Sequence, residues 1–122
     1  MLRRIAAAAA LFFSVCNMSA ALAESTNFQT FWKAFSMAAA RDDRAALQAM
    51  TKFPFVFDDA PREAGDFNKI YKVLFDSKAR ACLAKALPRK DRDSYDAFCG
   101  EVIYVFSKEG GAWRFSDFSP ND

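Results

Sequence analysis

The stretch GEVIYVFSKEGGAWRFSDFSP, Gly100 to Pro120, holds two apolar runs, Val102 to Phe106 and Trp113 to Phe118, around Lys108-Glu109-Gly110-Gly111. Aromatic and β-branched residues on either side of a glycine pair predict a β-hairpin. Tight hairpin turns need residues that accept positive φ, and strands favour side chains that pack on a pleated surface. The first run is apolar on both alternating faces, so the hairpin is expected to be covered on both sides or to lie inside a curved sheet. A lone hairpin is marginal in water. The rest of the chain must therefore supply its cover.

Upstream, Phe28, Phe31, Trp32, Phe35, Ala38 and Ala39 recur at helical spacing and predict a helix with a wide aromatic stripe, capped by Ser25 or Thr26. Asp42 or Asp43 then caps a shorter helix through Ala45, Leu47, Ala49 and Met50, where an acid also suits the positive end of the helix dipole. Phe53, Phe55 and Phe57 alternate with Pro54, Val56 and Asp58, the period-two pattern of a strand. Asp58, Asp59, Pro61 and Gly65 predict a turn-rich link, after which Asp66 caps a third helix carrying Phe67, Ile70, Val73 and Leu74. Ser77 to Leu87 fits a helix or a strand, and residues 88–96, PRKDRDSYD, read as a solvated loop. Two helices, a short strand, a further helix and a C-terminal hairpin make a chain of mixed helices and strands.

The first residues, MLRRIAAAAALFFSVCNMSAALAES, place Arg3 and Arg4 before an apolar run from Ile5 to Cys16, with Ala21-Leu22-Ala23 ahead of Glu24. A basic start, a short apolar core and a small-residue site predict a secretory signal peptide over residues 1–23. The apolar run is short for a membrane span, so no stable membrane insertion is expected after cleavage. Residues 24–122 then form one small domain, and the expected location is periplasmic or secreted. That portion carries 15 Lys and Arg against 15 Asp and Glu. Its balance argues against a general affinity for nucleic acid, which needs an excess of cations on one face.

Cleavage also removes Cys16 and leaves Cys82 and Cys99. An even cysteine count in an oxidising compartment predicts a disulfide. The chain has no histidine. Two thiolates would need two further ligands to hold zinc, so neither a metal nor a cofactor is expected. No C-x-x-C redox pair, P-loop, dinucleotide fingerprint or G-x-S-x-G elbow occurs.

The element order, with FxxFWxxF in the opening helix, an FPF strand, a helix ending in VLF and a hairpin closing on G-A-W-R-F, resembles the cone-shaped α+β fold of the nuclear-transport-factor-like, or cystatin-like, superfamily. The resemblance spans most of residues 27–118 and rests on apolar spacing and a Gly-x-Trp strand. It implies an α+β class, with N-terminal helices packed on a curved antiparallel sheet, and a range of roles from isomerases and dehydratases to binding and dimerisation modules, so a homodimer is among the expectations. Fold likeness alone transfers no activity.

Members of that superfamily that use an Asp-His pair have no counterpart here, because histidine is absent. An isomerase-like or lyase-like site would need an Asp base with a Tyr and a protonated Asp as donors. The candidates are Asp58, Asp59, Asp117, Tyr71 and Tyr104. Each also has a plainer role, in turn formation or in reaching from core to surface. Fourteen phenylalanines suggest either a packed core or an aromatic pocket lined by Trp32, Phe35, Phe55, Phe57, Tyr71, Tyr104 and Trp113. The favoured reading is an exported, non-catalytic binding domain for a small apolar ligand or a protein partner, through that pocket or a sheet face. The alternatives are the acid/base enzyme and an inhibitor or immunity-type protein whose contact loop is residues 88–96.

Overall fold

The computed structural model describes residues 27–122. The expected signal peptide, its cleavage site, Ser25 and Thr26 lie outside the described residues. Helix α1 (Phe28–Ala40) is capped by Asn27, whose side chain accepts the Gln29 N–H at 2.8 Å. The cap thus falls one or two residues later than expected, directly before the aromatic stripe, where asparagine caps as well as serine does. Helix α2 (Arg44–Ala49) is capped by Asp43, which accepts the Ala46 N–H.

The phenylalanine-rich strand is β1 (Phe55–Phe57), preceded by a cis Phe53–Pro54 peptide. It pairs with β2 (Ala60–Arg62), so the expected link between Asp58 and Gly65 is in part a strand. Asp58 and Asp59 have φ of 60° and 63° and close a two-residue hairpin turn. Aspartate tolerates the left-handed region, which such a turn needs at both central positions, and Pro61 is accepted because the ribbon is only two strands wide. After a 3-10 turn (Ala64–Asp66) comes helix α3 (Phe67–Leu74). Asp66 stands at its N-cap position but makes no side-chain capping bond.

Of the ambiguous segment, the first seven residues form a helix, α4 (Ser77–Leu83), with Asp76 as its cap, and residues 84–87 lead out of it without regular structure. The expected charged loop is half of a hairpin: β3 (Arg89–Asp91) pairs with β4 (Ser94–Cys99) across a turn in which Arg92 has φ of 57°. Its charges hid it, since an edge strand wet on both faces shows no apolar alternation, and such charges guard an edge against unwanted pairing. Strands β5 (Val102–Glu109) and β6 (Ala112–Pro120) form the predicted hairpin. Gly110 and Gly111, at φ of 63° and 87°, supply its turn. The sheet order is β3-β4-β5-β6, antiparallel throughout, with a register shift between Val105 and Phe106.

The helices lie against one face of this sheet. Phe106 is fully buried there and meets Phe28, Phe31, Trp32, Phe35 and Phe115 at centroid separations of 5.0 to 6.1 Å. The exit of α2 is stitched to β6, with the Phe115 N–H donating to the Met50 carbonyl and the Lys52 N–H to the Phe115 carbonyl. On the opposite face, Ile103 and Val105 are only half-buried and take no part in the core. Of the two alternatives expected for the hairpin, cover on both sides is therefore not the one found. A disulfide joins Cys82 of α4 to Cys99 at the end of β4.

Candidate functional site

The seven residues expected to line a pocket belong to one packed aromatic network. Trp32, Phe35, Phe55, Tyr104 and Trp113 are buried, and Phe57 and Tyr71 are half-buried against them. Phe35 touches Trp32, Phe75, Phe106 and Phe115, while Phe55 and Phe57 both meet Phe118. Trp113 meets Phe28 and Tyr95 edge-on. Rings that fill one another's contact distance contribute packing energy and shape, and their faces are already occupied.

The acid/base candidates are not brought together. Asp58 and Asp59 are exposed in the β1–β2 turn, and the Asp117 carboxylate accepts the N–H of its neighbour Phe118 on β6. Tyr104 donates its hydroxyl to the Leu74 carbonyl, and burial, assisted by the negative charge of Asp76, pushes its pKa up. Tyr71 donates to the Asp42 carboxylate, which also faces Arg80 at 3.4 Å. Burial first, then that hydrogen bond and the Asp42 charge, raise the Tyr71 pKa to about 12. The ring of Phe75 stands between the two phenols. Both hydroxyls thus stay protonated and both spend the proton on fixed structural acceptors, which leaves neither poised for a substrate oxygen. Among the described residues there is no cluster of three or more metal-binding side chains.

A groove of about 490 Å³ does open at the other end of the sheet, beside the disulfide. Ala81, Cys82, Lys85, Ala86, Leu87, Arg89 and Phe98 line it. The local structure follows from the strand period: Cys99 and Ala97 point into the core, so Phe98 between them must point out. The chain leaving α4 then carries Leu87 clear of the core, 88 % exposed, while Phe98 is 38 % exposed. The Arg89 guanidinium lies 4.8 Å from the Phe98 ring centroid, a cation–π contact that fixes one wall. Across the ladder from Arg89, Asp96 has its pKa raised by burial and by Asp91, with Arg89 opposing.

Of these lining residues, only Cys82 and Arg89 fall where the sequence pointed, the first as a disulfide partner and the second inside the charged segment. Phe98 was legible in principle: once Cys99 is tied inward, strand alternation puts it outside. Leu87 carries no local signal, since its exposure depends on where α4 stops. A second hollow, near 410 Å³, lies between Ala45, Gln48, Ala49, Thr51, Phe53 and Ala64 and holds no charged group. Among the described residues no helix is long and apolar enough to cross a membrane. No known protein family, curated protein or solved structure matches the chain.

Proposed function

We propose that the protein is an exported, non-catalytic binding domain that engages a protein partner at the disulfide end of its sheet. The carrying observation is the pair Leu87 and Phe98, two large apolar side chains turned to water beside a covalent cross-link. Grouped apolar exposure has a solvation cost, and contact sites are where proteins commonly keep it. The filled aromatic core supports a protein partner over a small apolar ligand. The disulfide supports an oxidising compartment, in line with the expected signal peptide. Helices on one face of an antiparallel sheet support a place in the nuclear-transport-factor-like superfamily as part of the same proposal.

The test is site-specific photo-crosslinking in the producing cell. A benzophenone amino acid at position 98 is expected to give a covalent protein adduct, whereas the same probe at Val73, 59 % exposed on α3, gives none. Equal labelling at both positions, or none at 98, would refute the proposal.

A further inference from the structure

Resting on that reading, we infer that the groove takes an acidic segment of the partner, one apolar side chain flanked by carboxylates. Charge is segregated along this chain. Residues 77–90 contain five cations, Lys78, Arg80, Lys85, Arg89 and Lys90, and no acid, while the rest of residues 24–122 holds ten cations against fifteen carboxylates. Arg80 is engaged by Asp42. Lys85 and Arg89 stand on the groove itself, and among the described residues neither forms an ion pair. Between them the lining is apolar: Ala81, Ala86, Leu87 and Phe98.

Two cations around an apolar floor complement a segment that presents an apolar anchor with negative charge on both sides. Strand β3 adds a second attachment. It ends the sheet, so its outer backbone groups have no strand partner among the described residues. An anionic membrane is the less suitable occupant. The rest of residues 24–122 carries more carboxylates than cations, which opposes an extended anionic face, whereas a short segment feels only charges within a screening length of about 8 Å.

The experiment repeats the position-98 photo-crosslink in the producing cell with Lys85→Glu and Arg89→Glu together, using Lys33→Glu, at an exposed position of α1, as the control. Purified variants are first checked for an unchanged melt and an intact disulfide mass. If the glutamates disturb folding, Lys85→Gln with Arg89→Gln replaces them. The charge-reversed protein is expected to lose the adduct by about tenfold or more. The control is expected to keep it, and mass spectrometry of the adduct should find an Asp- or Glu-rich segment. An adduct that survives charge reversal, or maps to a basic segment, overturns the inference and leaves the binding function standing. An adduct on lipid, or no adduct in any version, overturns both.

Discussion

Replacing both Cys82 and Cys99 by alanine removes the covalent tie between α4 and β4 and leaves their shared core packing, through Leu83 and Ala97, in place. The bonded residues are 17 positions apart. On the chain-entropy account, closing a loop of that size stabilises the native state by about 3 kcal/mol, by restricting the unfolded chain. A domain of this size has a total stability of about 5–15 kcal/mol, so the loss is a large fraction of it. With a urea m-value of about 1–3 kcal/mol/M, the unfolding midpoint should fall by about 1–3 M. The melting temperature should fall by about 12–24 °C. The assay is urea unfolding followed by tryptophan fluorescence, since Trp32 and Trp113 are both buried and report on the core. Reduction of the unmodified protein should reproduce the shift and add two hydrogens to its mass. Freed α4 would also stop framing Leu87 against Phe98, so the position-98 adduct should weaken along with stability. A midpoint within about 0.3 M of the original in both the variant and the reduced protein would refute the reasoning.

Alkaline titration of tyrosinate absorbance should find Tyr71 ionising near pH 12, and Asp42→Asn should bring it down, since that removes the charge while asparagine still suits the left-handed backbone at φ of 56°. Because the folded pKa lies above the unfolded value of about 10, the unfolded chain loses this proton first. The stabilisation is complete below about pH 10 and disappears as pH rises through about 12, so a stability that climbed over that window would contradict the assignment. Phe106→Ala should cost about 3–5 kcal/mol by opening a cavity among five rings, read as a lower urea midpoint. A loss below about 1 kcal/mol would mean that the rings collapse into the space.

Periodicity carries far where one face of an element is buried. The stripe from Phe28 to Ala39 announced α1 because each of its apolar positions meets the same core. The glycine pair at 110 and 111 announced the β5–β6 turn because few other residues adopt its φ values. The disulfide followed from cysteine arithmetic in a chain expected to be exported. Two kinds of element escaped. Strand β3 has both faces in water, and Ala60–Arg62 is three residues held by its partner, so neither shows a pattern of its own. Segment 77–87 shows no decisive period of its own, and its first seven residues are a helix capped by Asp76.

The candidate site divides the same way. From residue types alone one could tell that no histidine-based chemistry is available and that every charge in residues 77–90 is positive. Whether the aromatic residues enclose space or fill it depends on distances between elements far apart in the chain, and the tertiary structure decided for filling. It alone placed the tyrosine hydroxyls on the Leu74 carbonyl and the Asp42 carboxylate, removing them from any shared cavity. It alone also set Leu87 and Phe98 on one groove, where a helix end and a strand face meet beside the 82–99 bond, its Cα atoms 5.8 Å apart. Local pattern reports which face of an element is buried, and only the meeting of elements decides what the exposed faces present together.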